Sequence, residues 1–263
     1  MGNILQQICD KRREDVIKRK KAVTPQGLLR TIQNSALPRG FAHAITHKVQ
    51  NHDIALIAEV KHASPSQGII QTDFDPIQCA TAYEKAGATC LSVLTEPHWF
   101  KGQDHYIEQI KSTTSLPVLR KDFMVDPYQI IESRALGADC VLIILAALDD
   151  HMALDMCQTA QDLGLSILVE VHDHAEQERA FHLPFDMFGI NNRNLKTMEI
   201  NIETSISLAQ HCPKETTIVS ESGLNTHTDL QKMTQHGIYS FLVGTSLMRQ
   251  SNLEQATRTL LGQ

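Results

Sequence analysis

No stretch of this sequence approaches the roughly 18 to 20 consecutive apolar residues of a membrane-spanning helix, and the N-terminus lacks the charged-then-apolar order of a secretory signal. Cytoplasmic residence without a membrane partner is the expectation. Excess positive charge is missing too: Lys and Arg number 24 against 30 Asp and Glu, a formal net charge of −6. Such a balance gives no general attraction to nucleic acid or anionic lipid. The single basic run, Lys18 to Lys21, reads as a solvated helix end. Six cysteines, at 9, 79, 90, 140, 157 and 212, form no CxxC pair and fall mostly in apolar or helical patterns, as buried free thiols do. Thirteen histidines do not make a metal site either, because His43 with His47, and His172 with His174, lack the accompanying ligands. They are expected to be ordinary surface or core side chains.

What is present is the patterning of a globular chain. With 263 residues, 42% hydrophobic and 21% charged, the chain can bury a substantial core, and a βα barrel of about 250 residues still forms one domain. An amphipathic segment over 4–21 and a turn-rich stretch through Pro25 and Pro38 precede repeated strand-then-helix units. Short apolar runs predict eight strands, over 54–60, 90–94, 117–119, 140–145, 166–171, 187–190, 217–219 and 240–243. Helix-length segments lie between them, including 76–86, 128–136, 151–163, 202–212 and 228–236, and Gly87, Gly137, Gly164 and Gly237 stand where helices should stop. Strands apolar throughout, rather than alternating, suit a parallel sheet buried on both faces. Eight such units favour an α/β fold closed as a single (β/α)8 TIM barrel with an N-terminal helical extension. Alternating βαβα patterning also suits a doubly wound open sheet, but no GxGxxG follows the first strand.

Charged or amide residues recur where the apolar strands run out: Glu59 and Lys61 after the first, Lys121 after the third, Glu170 on the fifth, Asn191 after the sixth and Glu221 after the seventh. Any one of these could simply end its strand at the surface. In a barrel, however, these ends converge on one mouth, so residues distant in sequence become neighbours. Lysines buried among carboxylates must be paired, and such settings shift pKa values toward acid/base use.

A second signal lies in Ser220-Glu221-Ser222-Gly223 after strand seven and Val243-Gly244-Thr245-Ser246 after strand eight. Gly and small hydroxyl residues let backbone N–H groups approach a phosphate, and the loops after strands seven and eight are this fold's frequent phosphate site. A small phosphorylated substrate is implied.

These motifs resemble the indole-3-glycerol-phosphate synthases of tryptophan biosynthesis. The resemblance spans nearly the whole chain and is carried by Ile57-Ala58-Glu59-Val60-Lys61 with Ser64-Pro65-Ser66, Ser92-Val93-Leu94-Thr95-Glu96 and Leu119-Arg120-Lys121-Asp122-Phe123. It continues through Leu168-Val169-Glu170-Val171, Gly189-Ile190-Asn191-Asn192-Arg193-Asn194-Leu195, Ser220-Glu221-Ser222-Gly223 and Phe241-Leu242-Val243-Gly244. Members convert 1-(2-carboxyphenylamino)-1-deoxyribulose 5-phosphate to indole-3-glycerol phosphate with loss of carbon dioxide and water, using no metal or organic cofactor. The resemblance implies that Lys121 is the general acid, Glu170 the general base of the later steps and Glu59 a third proton-handling or orienting group. It further implies that Lys61 binds the substrate carboxylate, that Asn191 and Arg193 orient the substrate, and that Glu221 holds the lysines in place and charged. Ser64, Ser222, Gly223, Gly244 and Thr245 would hold the phosphate, and Phe100, Phe123 and Leu142 would wall the aromatic ring, although without the resemblance those last three read as ordinary core packing. Residues 1–45 resemble, more loosely, an extension over the barrel mouth, with 46–263 as the barrel and one structural domain overall.

The neighbouring isomerase, phosphoribosylanthranilate isomerase, needs a Cys base where this first strand ends in Glu59 and Lys61. A non-catalytic metabolite sensor would be marked by loss of catalytic groups, yet Glu59, Lys121 and Glu170 are all present. The eighth unit closes near Gln263, so a monofunctional chain, monomeric or weakly homo-oligomeric, is expected.

Overall fold

The computed structural model describes residues 4–195 and 197–263. Eight parallel strands close a barrel: β1 (Ala55–Val60), β2 (Cys90–Leu94), β3 (Val118–Lys121), β4 (Cys140–Ile144), β5 (Ser166–Val171), β6 (Met187–Asn191), β7 (Ile218–Glu221) and β8 (Ser240–Val243). Neighbours pair in chain order, and β8 returns to β1 with Ala55 opposite Ser240 and Ala58 opposite Val243. The sheet is therefore closed, not doubly wound. The helices are α1 (Ile4–Ala22), α2 (Pro25–Gln33), α3 (Phe41–Gln50), α4 (Pro76–Lys85), α5 (His105–Thr113), α6 (Pro127–Ala135), α7 (Asp150–Asp162), α8 (His174–Ala180), α9 (Glu203–Ala209), α10 (His227–Thr234), α11 (Thr245–Met248) and α12 (Leu253–Leu261). No described helix is long and apolar enough to cross a membrane.

Three strands extend beyond their apolar runs. Lys121, Asn191 and Glu221 are the last ladder residues of β3, β6 and β7, with Lys121 opposite Leu94 and Glu221 opposite Asn191. Apolar patterning marks a strand only while its inner face meets the core; at the mouth that face meets a cavity, so the ladder continues through polar residues. Helix ends follow local chemistry. Asp75 and Asp126 cap α4 and α6 by accepting from Ile77 and Tyr128 backbone N–H groups at 2.8 and 2.9 Å, each with Pro at the first helical position, where no donor is needed. Gly87 and Gly137 follow these helices at φ +87° and +89°, a region costly for side chains with a Cβ.

Inward residues of the strands, among them Ile57, Leu119, Leu142, Leu168 and Val219, pack into one core with Phe41 and Ile45 of α3. The α3 helix sits at the strands' N-terminal ends: Ala42 N donates to Ser166 Oγ at 3.2 Å, and the Thr46 and Thr217 hydroxyls are 3.2 Å apart. It plugs the end away from the charged residues. At the other end, α1 lays Leu5, Cys9 and Val16 against Val125 and Tyr128. The segment before the barrel thus serves both ends, and α3 runs across position 45.

The basic run ending α1 is solvated in part: Lys18 and Lys21 are exposed, while Arg19 and Lys20 meet carboxylates. Arg19 Nη1 lies 2.5 Å from Asp104 Oδ2 and 3.0 Å from Glu132 Oε2, and Lys20 Nζ lies 2.7 Å from Asp126 Oδ2. Two residues of the run thus meet three carboxylates, Asp104 and Asp126 just before α5 and α6 and Glu132 on α6. Deeper in, the fully buried Arg12 places Nη2 2.8 Å from Asp122 Oδ2, which also accepts from Thr95 Oγ1 at 2.7 Å. Arg120, equally buried, reaches Asp104 and Glu132, each at 2.8 Å. This network fastens α1 to the chain immediately beyond Lys121. Removing one member of a buried pair leaves its partner's charge unpaired, so Arg12→Ala is expected to lower unfolding free energy by about 3–5 kcal/mol. Urea unfolding checks this; a change under about 1 kcal/mol would mean that α1 docks through its apolar face alone.

Candidate active site

All the residues named from the sequence line one cavity of about 370 Å³ at the C-terminal mouth of the barrel. Each strand delivers its share by register. On β1 Glu59 faces inward beside Lys61, whose ammonium is paired to the Glu59 carboxylate. From β3, Lys121 Nζ reaches Glu170 Oε2 on β5 at 3.4 Å and Glu221 Oε2 on β7 at 3.2 Å. Asn191, ending β6, donates from Nδ2 to Glu170 Oε1 at 3.2 Å, and its own Oδ1 accepts from the Arg193 backbone at 3.0 Å. Glu221 therefore secures only Lys121 of the two lysines; Lys61 has Glu59 as its partner.

Burial and charge pull these groups apart. Burial alone would strip Lys121 of its proton, but the carboxylates of Glu221, Glu170 and Glu59 outweigh it and hold the ammonium well above its ordinary value. Burial would likewise raise Glu170, yet Lys121, His172 and Asn191 hold its carboxyl well below the usual range. For Glu221 burial prevails: Lys121 offsets it only in part, the Glu170 charge adds to it, and the carboxyl is pushed up to about 8. The two carboxyls that flank the Lys121 ammonium are thus driven in opposite directions, Glu170 down and Glu221 up. Neighbouring carboxyls whose surroundings push them apart are the usual means of obtaining an acid and a base from like side chains.

The rest of the cavity is apolar on one side and small on the other. Phe100 and Phe123 stand with ring centroids 5.9 Å apart at 41°, and Leu142 of β4 lines the cavity with them. Glu96, wholly buried, fixes the loop before Phe100 by accepting from the backbone of His98, Trp99 and Phe100 at 2.8, 2.7 and 3.0 Å. Across the mouth, Ser222 and Gly223 both adopt positive φ, +68° and +82°, which turns the chain sharply after β7. Gly244 lies against Glu59 so closely that a Cβ would overlap the carboxylate. Ser64 sits in a short hairpin of Ala63–Ser64 with Gly68–Ile69, and its buried hydroxyl has no hydrogen-bond partner among the described residues. Thr245 opens α11 in the cavity wall.

Sequence reasoning missed several contributors. Asn192, side chain turned away from Asn191, donates to Ser220 Oγ at 3.1 Å and Ser222 O at 3.0 Å and accepts from Ser205, tying β6, β7 and α9 beneath the Ser222 turn. Its signal was its place in an Asn-Asn pair, where period two sends successive side chains to opposite faces. Ile4, Leu5 and Ile8 of α1 also line the cavity, and Arg249, just beyond α11, adds a cation to its wall. His172, set aside as ordinary, puts Nε2 3.3 Å from Glu170 Oε1. Among the described residues no group of three or more His, Cys, Asp or Glu is arranged to hold a metal ion.

Fold and site together define a (β/α)8-barrel enzyme with a paired lysine–carboxylate mouth and a small-residue rim after its last two strands. The chain belongs to the indole-3-glycerol phosphate synthase family, carboxy-lyases of tryptophan biosynthesis, whose family model matches residues 5–260. It is 45% identical over 262 residues to the indole-3-glycerol phosphate synthase of Zymomonas mobilis subsp. pomaceae, covering 100% of this chain and 99% of that one. With the enzyme of the same description from Azospirillum brasilense it shares 48% over 262 residues, 99% of this chain and 100% of the other. Among solved structures, 3-hexulose-6-phosphate synthase from Salmonella typhimurium superposes with a TM-score of 0.63 at 13% identity, over 80% of this chain and 97% of that one. At that identity the likeness concerns the barrel alone.

Proposed function

We propose that Lys121 and Glu170 divide the acid and base work by which this chain turns 1-(2-carboxyphenylamino)-1-deoxyribulose 5-phosphate into indole-3-glycerol phosphate. The observation that carries the reading is the Lys121 ammonium held between two buried carboxyls, 3.4 Å from Glu170 and 3.2 Å from Glu221. Lys121 protonates the substrate's carbonyl oxygen as the aromatic carbon attacks the carbonyl carbon; carbon dioxide then leaves, and Glu170 takes the proton whose removal accompanies loss of water. Glu59 orients the approach and handles a proton beside Lys61, which grips the substrate carboxylate. Asn191 and Arg193 steer the substrate, a guanidinium being able to meet a carboxylate with two hydrogen bonds.

A flexible sugar chain must fold until its ketone meets the ring, an entropic problem that anchoring at both ends lessens. Ser64, Ser222, Gly223, Gly244 and Thr245 anchor the phosphate at one rim of the cavity that they line. Phe100, Phe123 and Leu142 wall the anthranilate ring opposite. Residues 1–45 belong to this reading as the cover of the mouth, through α1. The enzyme works in the cytoplasm as a monomer or weak homo-oligomer, on a small phosphorylated substrate, without nucleic acid.

Purified protein given the carboxyphenylamino-deoxyribulose phosphate, with no added metal, is expected to develop indole fluorescence with release of one carbon dioxide per product. A folded protein that yields no fluorescence would sink the reading.

A further inference from the structure

His172 has no part in the roles above, although it lies two residues beyond Glu170. It stands just past the end of β5, in the bend before α8, and its imidazole turns back onto the Glu170 carboxylate. Its Nε2 stands 3.3 Å from Glu170 Oε1, an ion-pair distance without the alignment of a full hydrogen bond. On its other side, Nδ1 lies 3.0 Å from Glu176 Oε2 in α8, and that oxygen also accepts from the His172 backbone N–H at 2.8 Å. The side chain is only 9% exposed. A neutral imidazole carries one N–H and can serve one of these acceptors; a protonated ring serves both.

The charged groups facing the ring are Glu170 from β5 and Glu176 from α8. Asn191 of β6, also on Glu170 Oε1, is neutral, and Lys121 of β3 lies beyond, on Oε2. Burial works against the ring's charge, but the two carboxylates outweigh it and raise the imidazole to about 10. The consequence for Glu170 is geometric as well as electrostatic. One oxygen is occupied by Asn191 and His172, which leaves the other turned toward Lys121 and the cavity.

We propose that His172 is a positioning residue for the reaction: an imidazolium clamped between Glu170 and Glu176 that holds Glu170 Oε1 and so presents Oε2 to Lys121 and substrate. It anchors the working carboxylate of β5 to the first turn of α8. The inference rests on Glu170 acting as the base.

Two measurements test it. In ¹⁵N-histidine spectra of the wild-type enzyme, the ring that responds to both E170Q and E176Q should carry both protons at pH 8, with a midpoint far above the ordinary value of about 6.5. In kinetics, H172Q should lose on the order of tenfold to a hundredfold in kcat, with KM held within about threefold. The acid limb of its kcat profile should rise by about one pH unit or more, because Glu170 without its cation is easier to protonate. A ring that is neutral at pH 8 overturns the proposal, and does so even if H172Q fails to fold. An unchanged kcat overturns it, and so does a kcat loss that comes with lowered Tm and an unmoved acid limb, which is what a structural role would produce. E170Q separates the two readings. If it turns over like wild type, Glu170 is not the base; if it is impaired while H172Q is not, the clamp alone fails.

Discussion

Lys121→Ala is expected to lower kcat by about 10³- to 10⁴-fold, at the upper end of what one positioned acid contributes, while substrate affinity stays within about tenfold. The loss is large because Lys121 does two things at once. Its ammonium is the proton donor of the proposed reaction, and it is also the first of the charges that hold Glu170 ionised beside Glu221. Without it two buried carboxyls face each other with only His172 and Asn191 to compensate, and Glu170 moves up toward protonation, so the base weakens along with the acid. Affinity is expected to survive because the proposed anchoring groups are elsewhere: Lys61 is held by Glu59, and the Ser222 to Gly223 turn and Gly244 lie across the mouth. Steady-state kcat and KM, measured separately, check the split. Turnover like that of wild type would remove Lys121 from the acid role, and a rise in KM without a fall in kcat would make it a binding residue.

How far the site was legible follows from what each residue does locally. Lys121, Glu170 and Glu221 were visible because a charge at the end of an apolar run breaks the pattern, and a closed barrel gives all such ends one address. The ladder positions of Lys121, Asn191 and Glu221 were not, because polar residues that face a cavity look like loop in the sequence. Partner choice was misjudged for the same reason. Nothing in the order of residues says that Lys61 turns back to Glu59 two positions away while Glu221 serves Lys121 alone. Arg12 and Asp122, 110 positions apart, illustrate the general limit. An amphipathic α1 declares that one face is covered, but a buried arginine on that face reads as an irregularity until its partner is in view. The basic end of α1 was legible in part: Lys18 and Lys21 are exposed as charge runs usually are, but only the fold sets Asp104, Asp126 and Glu132 against Arg19 and Lys20.

Glu170→Gln isolates the proposed base. The amide keeps the shape of the carboxylate and can still meet Asn191, but it cannot take a proton, and kcat is expected to fall by about 10²- to 10⁴-fold. Unlike the lysine variant, this one should leave the first step working. Removing the Glu170 charge takes away the repulsion that helps raise Glu221, so Glu221 falls from about 8 and ionises more readily beside Lys121, whose ammonium remains. Ring closure should therefore proceed while the later steps stall, and rapid-quench sampling of a single turnover should show an intermediate accumulating that wild type does not. Equal slowing of substrate consumption and product formation, with no intermediate, would place Glu170 at the first step instead. The same variant has a signature in stability. His172, raised from 6.5 to about 10, contributes stability that is fully present below 6.5 and lost as pH rises through 10. Glu221 acts in the same direction: its folded-state proton, held to about 8, is absent from the unfolded chain above 4.5, so folding weakens as pH climbs between those values. Both shifts depend on the Glu170 charge. Urea unfolding of Glu170→Gln across pH 6.5 to 10 should accordingly show a shallower fall than wild type, and an unchanged slope would mean that neither neighbour is held by Glu170.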